Sequence, residues 1–137
     1  QSLFLSRGDD SGTHKAELRL WADAEIDPSV ANVTGYRELG AGMGAILNTA
    51  AAMDAYTLVD RGTWLSFGNR GDLVILVEGD PRLFNPYGVI RVNPDRHPHV
   101  NHVGASRFAD WLVSEEGQSA IARFGVAGQR LFQPNAD

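Results

Sequence analysis

The sequence predicts an α/β fold, with a mixed, mostly parallel sheet flanked by helices. Short apolar segments typical of strands alternate along the chain with segments of helical spacing. The length of 137 residues suits one domain, and a hydrophobic fraction of 43% is ordinary for a globular protein. No internal repeat or linker divides the sequence, so we expect one domain over residues 1–137.

The first strand and helix follow from a sharp change in composition. Residues 2–6 form a short apolar run with a polar stop, which is typical of a buried strand. Residues 7–12 are rich in Gly, Asp and Ser and indicate a turn. A helix is predicted from residue 13 to about 26, with Leu18, Trp21 and Ala22 near one face and Lys15 and Glu17 elsewhere.

The middle of the chain continues the alternation. Residues 29–42 contain several glycines and are predicted to be a loop. Residues 43–54 are dense in Ala, Met, Leu and Ile and predict a largely buried helix. A short strand at 56–58 and a short helix at 60–67, with Asp60 as its N-cap, follow.

Two further apolar segments predict strands. Residues 73–78 are continuously apolar until the final Glu, so that strand should be covered on both faces, and residues 88–93 resemble it. The remaining predicted elements are a loop at 94–101, helices at 103–113 and 114–124, and a loose tail over 125–137.

Composition excludes several classes of function. The chain has no cysteine, so it has no disulfides, thiolate catalysis or Cys-based metal sites. The net charge of −5 argues against broad binding to nucleic acid, which usually needs a basic face. No apolar stretch has the length of about 20 residues that a membrane helix needs. Residues 1–5 lack the pattern of a signal peptide, so the chain is expected to begin inside a mature protein or a fragment of one.

The joint between the first strand and the first helix is the best candidate for a binding site. A helix begins with unpaired N–H groups and the positive end of its dipole, which together attract anions. The hydroxyls of Ser11 and Thr13 can donate hydrogen bonds, and Gly12 lets an anion approach the backbone closely. The pattern predicts an anion site, with an ordinary capped helix as the alternative.

Arg7 strengthens the case for an anion site and leaves a simple cap as an equal alternative. Its planar guanidinium ends the predicted strand and can donate two hydrogen bonds to neighbouring oxygens of one anion. Asp9 or Asp10 can hold Arg7 in place from behind, or can accept a proton from a protonated ligand.

The segment Ser6-Arg7-Gly8-Asp9-Asp10-Ser11-Gly12-Thr13-His14-Lys15 resembles the hallmark of the TupA-type tungstate-binding proteins of ABC transporters. Four further stretches resemble the same family, at residues 36–44, 55–64, 79–90 and 110–118. A broader similarity is to phosphate-binding proteins, in which an Arg–Asp–Ser–Gly–Thr element also opens a helix onto the oxyanion. The resemblance covers nearly the whole chain.

This resemblance implies one lobe of a type II periplasmic-binding-protein fold, in which two α/β lobes hold the ligand between them. It implies that Arg7 and the Ser11–Thr13 helix start contact the anion and that Ser6 lies at the cleft edge. The Thr/Ser-rich element of the family's first lobe is absent, so we expect the second lobe and return segments alone, with half of the binding site. Gly35 stands where an aromatic residue is expected.

The resemblance also implies a tungstate ligand, an ABC permease as partner, and a periplasmic or extracytoplasmic location. An exposed apolar cleft face would favour self-association. Molybdate or phosphate on the same scaffold remains an alternative, as does an interaction or sensory domain whose anion site has decayed. We expect no enzymatic activity, cofactor or metal, because neither a Gly-x-Ser-x-Gly elbow nor a phosphate loop is present.

Other conspicuous residues have ordinary explanations. Asp60, with Tyr56 and Thr57, can line a cleft, but helix capping suffices to explain it. The glycines of Gly42-Met43-Gly44 can expose backbone donors, although close helix packing is the preferred interpretation. We expect a solvated loop, and not a metal site, for His97, His99 and His102. We expect core or interface positions for Trp21, Trp64 and Trp111.

Overall fold

A computed structural model describes residues 2–30, 35–126 and 128–136. These residues form two compact units, the first ending at Asn85 and the second beginning at Pro86. The first unit contains β1 (Phe4–Ser6), α1 (Gly12–Asp23), β2 (Tyr36–Glu38), α2 (Met43–Met53), β3 (Tyr56–Thr57), α3 (Arg61–Ser66) and a 3-10 helix (Pro81–Leu83). The second contains α4 (His102–Val113), α5 (Glu115–Arg123), β4 (Gly125–Val126) and β5 (Gln129–Arg130).

The sheet of the first unit confirms the predicted α/β class. Its strands are all parallel, in the order β2-β1-β3, so β1 is central. Leu5 of β1 pairs with Arg37 on one side and Thr57 on the other. Because parallel strands end at the same edge, the turn after β1 leaves the sheet beside the end of β2.

The strand β2 lies within residues 29–42, which the sequence predicted to be a loop. That prediction is wrong for Tyr36–Glu38, because this strand forms by pairing with β1 and has no apolar alternation of its own. Residues 31–34 of the same predicted loop lie outside the described residues. Gly35, which precedes β2, has φ +118, and a Cβ there would collide with the Ser2 carbonyl oxygen, so an aromatic residue does not fit at this position.

Helix α2 provides most of the core of the first unit. The buried side chains are Leu5, Met43, Ile46, Leu47, Ala50 and Ala55. Four of these six lie on α2 at spacings of three or four residues, as the predicted buried helix requires. The helix ends at Asp54, which has left-handed backbone angles (φ 50, ψ 46).

The opposite side of the sheet is covered by α1, but not by the predicted face. The ring of Trp21 packs edge-on against Phe4 and Tyr36, with centroid distances of 5.2 and 6.1 Å. Glu17 is buried, whereas Leu18 is 41% exposed. The prediction that groups Leu18 with Trp21 and places Glu17 elsewhere is therefore wrong, because Glu17, four residues before Trp21, shares the buried side of the helix with it.

The predicted strands at 73–78 and 88–93 do not form. Both segments are without regular structure, and their apolar side chains are exposed, for example Leu76 at 67% and Ile90 at 91%. A strand requires a neighbour that pairs with its N–H and C=O groups, and the described residues provide none for either segment. An apolar pattern alone was therefore insufficient to predict a strand at either segment.

The second unit contains the two predicted carboxyl-terminal helices. Asn101 caps α4 and Ser114 caps α5, each through a side chain that accepts a backbone N–H. The predicted loose tail is wrong in part, because β4 and β5 pair as a short antiparallel ribbon. No helix in the described parts of the chain combines the length and apolarity that crossing a bilayer requires.

Candidate functional site

The joint between β1 and α1 forms a turn at the carboxyl edge of the sheet. Ser11 is the N-cap of α1, and its hydroxyl oxygen accepts the N–H of His14 at 3.3 Å. The helix begins at Gly12, one residue before the predicted start. Within the described residues, the N–H groups of Gly12 and Thr13 donate to no acceptor. The turn therefore presents two free backbone donors at a helix start.

Arg7 is held beside this helix start by Asp9. The Nε and Nη2 atoms of Arg7 donate to Oδ2 of Asp9 at 3.0 and 2.6 Å. The other carboxylate oxygen of Asp9 accepts the N–H of Ser11 at 3.2 Å. Hydrogen bonding from the Ser11 side chain, followed by that from Arg7, lowers the pKa of Asp9 to about 2. Asp9 is thus a fixed anion that links Arg7 to the helix cap.

Asp10 has a different environment from Asp9. Its carboxylate is 86% exposed and lies 3.3 Å from the Nζ atom of Lys15. Its backbone is left-handed (φ 58), and its N–H donates to Nδ1 of His14 at 3.1 Å. Of the two candidate supports for Arg7, the structure places Asp9 in contact with it and directs the side chain of Asp10 to Lys15 and solvent.

Ser6 ends β1 and is fully buried. Its hydroxyl oxygen accepts the N–H of Gly8 at 3.2 Å, which closes the start of the turn. Gly8 has φ +56, and a Cβ at this position would lie 2.5 Å from the Cβ of Glu38. Only glycine satisfies both the backbone angle and this close approach. The turn is therefore packed tightly against the end of β2.

A polar cluster behind α1 was missed by sequence reasoning. Glu17 is 3% exposed and accepts the indole N–H of Trp21 at 3.1 Å. The hydroxyl of Tyr36 donates to Glu38 at 3.3 Å. Burial, reinforced by Glu17 and Glu38, raises the pKa of Tyr36 to about 12. A glutamate four residues before a tryptophan is the local signal that can indicate such a pair.

The second candidate region, after β3, is a helix cap. The two carboxylate oxygens of Asp60 accept the N–H and the hydroxyl of Thr63, at 2.8 and 2.7 Å. The Thr57 hydroxyl donates to the Leu5 carbonyl at 2.9 Å, while Tyr56 is 48% exposed. Capping therefore accounts for the carboxylate of Asp60, as predicted.

The glycines at the start of α2 do not serve close packing. Gly42 is the N-cap, and a Cβ at Gly42 or Gly44 would meet no described atom within 4 Å. The preferred interpretation, that these glycines allow close helix packing, is therefore wrong.

In the second unit, the rings of His97 and His99 pack edge-on at 6.1 Å, and Trp111 is 38% exposed and stacks on Phe108. The described residues contain no group of three His, Cys, Asp or Glu side chains that can hold a metal ion.

Comparison with known proteins gives matches over almost the whole chain. The sequence is 50% identical over 135 residues to the tungstate-binding protein TupA of Peptoclostridium acidaminophilum, which covers 97% of this chain and 46% of that protein. The chain spans about half the length of the curated relatives it matches.

Solved structures give similar matches. The tungstate-binding protein TupA from Desulfovibrio alaskensis G20 superposes with a TM-score of 0.74 at 40% identity, covering 99% of this chain and 56% of that one. The tungstate ABC transporter structure from Geobacter sulfurreducens gives a TM-score of 0.78 at 45% identity, covering 90% of this chain and 51% of that one. A family model described as a PBP superfamily domain matches residues 1–116. Since this match includes the whole parallel sheet and the turn after β1, the chain belongs to the PBP superfamily.

Proposed function

We propose that the chain forms part of an extracytoplasmic solute-binding component of an ABC transporter and that it binds a tetrahedral oxyanion, with tungstate as the ligand. The observation that carries this proposal is the arrangement of Arg7 beside the free N–H groups of Gly12 and Thr13. Relatives named as tungstate-binding proteins that match along almost the whole chain support the choice of ligand.

The proposed contacts use donors alone. The backbone N–H groups of Gly12 and Thr13, the Thr13 hydroxyl, and the Arg7 hydrogens not engaged by Asp9 would bind the oxygens of the anion. The Ser11 hydroxyl oxygen would cap the helix by accepting the His14 N–H, and the hydroxyl hydrogen would donate to the bound anion. Ser6 would hold the turn through Gly8. These donors carry little net charge beyond that of Arg7, so the site suits a small anion stripped of its water.

Selectivity would follow from protonation and size. The carboxylate of Asp9 accepts hydrogen bonds through both oxygens, and that of Asp10 faces Lys15. Asp9 is already engaged by Arg7 and Ser11, and Asp10 is directed to Lys15 and solvent, so hydrogen phosphate would have no acceptor placed for its proton, which is costly in a closed site. Tungstate and molybdate are fully ionised at neutral pH, and cavity size would separate them from the smaller sulfate.

The proposed role is transport without catalysis. The anion would be captured outside the cytoplasmic membrane and delivered to a permease, as implied by the relative named as a tungstate ABC transporter. The site has donors and one carboxylate, that of Asp9, which Arg7 and Ser11 already engage. The chain would act together with a facing set of hydroxyl donors that completes the anion's coordination.

Isothermal titration calorimetry of the complete gene product with tungstate, molybdate, sulfate and phosphate tests this proposal. Arg7→Ala should weaken tungstate binding at least about 10-fold, because charge-assisted hydrogen bonds to the anion are lost. Arg82→Ala is the matched control, since Arg82 pairs with Asp80 at 3.0 and 2.6 Å far from the turn in sequence. It should leave affinity unchanged.

Three outcomes would contradict parts of the proposal. If titration with phosphate gave binding heat and titration with tungstate gave none, phosphate would replace tungstate as the proposed ligand. Equal affinity for molybdate and tungstate would remove the specific claim for tungstate. No change in any anion affinity, or in thermal stabilisation by anions, after Arg7→Ala would favour an interaction or sensory domain.

A further inference from the structure

His14 connects the candidate anion turn to the sheet from behind. It occupies the third position of α1, and its Nδ1 atom accepts the N–H of Asp10 at 3.1 Å. Asp10 is one of three described non-glycine residues with a positive φ, here 58. Aspartate tolerates the left-handed region better than most L-residues, and contacts to its backbone help to hold it there. The imidazole supplies one such contact.

The contact at Nδ1 selects one tautomer of the neutral His14 ring. Because Nδ1 accepts a hydrogen bond, the proton of the neutral ring lies on Nε2. Nε2 is buried and has no hydrogen-bond partner among the described residues. The Oε1 atom of Glu38 lies 3.7 Å from it, and only 12% of the His14 side chain is exposed. The ring is therefore held between Asp10 and Glu38.

Charged groups surround His14 on each element that packs against it. From β2, Glu38 faces Nε2, and it accepts the Tyr36 hydroxyl. The neighbouring charged residues of the turn and of α1 are Arg7, Asp9, Asp10, Lys15 and Glu17, of which Arg7 pairs with Asp9 and Lys15 with Asp10. Glu38 is thus the carboxylate that a protonated His14 would meet.

We propose that neutral His14 is a positioning residue for the oxyanion turn and makes anion affinity depend on pH. This inference rests on the proposed function of the turn. By accepting the Asp10 N–H, His14 holds Asp10 left-handed, and so directs the following N–H groups of Gly12 and Thr13 outward. A protonated imidazole cannot accept this hydrogen bond. Its added charge is offset by Glu38, whereas the lost acceptor has no replacement, so affinity falls on acidification.

The experiment compares wild type with His14→Asn and His14→Leu in the complete gene product. The Asn Oδ1 atom can occupy the place of Nδ1 and accept the Asp10 N–H, but it does not titrate, and Leu provides no acceptor. Tungstate affinity is measured by calorimetry at pH 8 and at about pH 5.5, on either side of the usual titration range of histidine. The ratio of wild-type to His14→Asn affinity cancels any change in the anion itself.

At pH 8, His14→Asn should bind within about 2-fold of wild type, and His14→Leu about 5-fold more weakly, the effect of one hydrogen bond. At the lower pH, wild type should fall about 3- to 5-fold relative to His14→Asn. Equal weakening by Asn and Leu, or a ratio that is independent of pH or rises on acidification, would overturn the proposal.

A second measurement separates this inference from the proposed function. In the anion-free protein, the amide ¹H–¹⁵N signal of Asp10 should shift with pH in wild type and stay constant in His14→Asn. An Asp10 amide that does not respond to His14 would overturn the positioning role whatever the chain binds. If the Asp10 amide signal shifts with pH as expected but the protein binds no tungstate, the proposed function is contradicted and the His14–Asp10 contact is still supported.

Discussion

Arg7 donates from Nε and Nη2 to the same carboxylate oxygen of Asp9, at 3.0 and 2.6 Å. The pair is only partly accessible, with 21% and 22% of the two side chains exposed. Since Asp9 also accepts the N–H of the N-cap residue Ser11, the guanidinium is tied to the helix start before any ligand arrives. Such preorganisation reduces the entropy lost on binding.

Asp9→Ala should therefore weaken tungstate binding about 3- to 10-fold, although it removes a negative charge from an anion site. The expected cause is the loss of the fixed Arg7 position. Asp80→Ala provides the matched control, because it breaks the similar Arg82–Asp80 pair without touching the turn. Unchanged or tighter binding in Asp9→Ala would show that preorganisation of Arg7 is unimportant.

The pKa of Asp9 provides a separate test of the turn. With its folded-state pKa lowered to about 2, the carboxylate contributes stability that is present above its ordinary value of 3.8 and is lost as pH falls toward 2. A ¹³C titration of the carboxyl signal should have its midpoint near 2. Ser11→Ala and Arg7→Ala should each raise this midpoint, because hydrogen bonds from both side chains lower the pKa of Asp9. A midpoint that neither substitution changes would contradict this assignment.

Replacing Asp60 distinguishes a helix cap from a ligand contact. Asp60→Ala should lower the free energy of unfolding by about 1 kcal/mol, measured by urea denaturation, because two hydrogen bonds to Thr63 are lost. Asp60→Asn keeps an acceptor and should cost less. Both variants should retain tungstate affinity. A large affinity loss in Asp60→Asn with normal stability would instead place Asp60 in the binding site.

The apolar segment at residues 73–77 predicts self-association of the 137-residue chain. Val74, Leu76 and Val77 are exposed at 69%, 67% and 69%, and their backbone has no partner strand in the described chain. Sedimentation should show a mass that rises with concentration and that Leu76→Lys reduces. Val103→Lys is the control, because Val103 is an apolar residue, 50% exposed, that lies on the helix α4 and not in a segment without regular structure. Equal effects of both substitutions would contradict the prediction.

The helices and their caps were determined by the sequence itself. The cap at Asp60 and the start of α1 within one residue of residue 13 follow from local signals, because helical hydrogen bonds join residues four positions apart. The placement of Arg7, Ser11, Gly12 and Thr13 in one turn and helix start was predictable for the same reason, and their role in anion binding stays a prediction. They lie within seven consecutive residues, in the turn after β1 and the start of α1.

Only the tertiary structure decided the strands and the supports behind the site. Tyr36–Glu38 became a strand because β1 lies beside it, while the more apolar residues 73–78 did not, since strand pairing depends on distant partners. The burial of Glu17 and the contacts of His14 with Asp10 and Glu38 depend on the same sheet. Helix-forming contacts are local and readable in sequence, whereas these contacts exist only after the chain has folded.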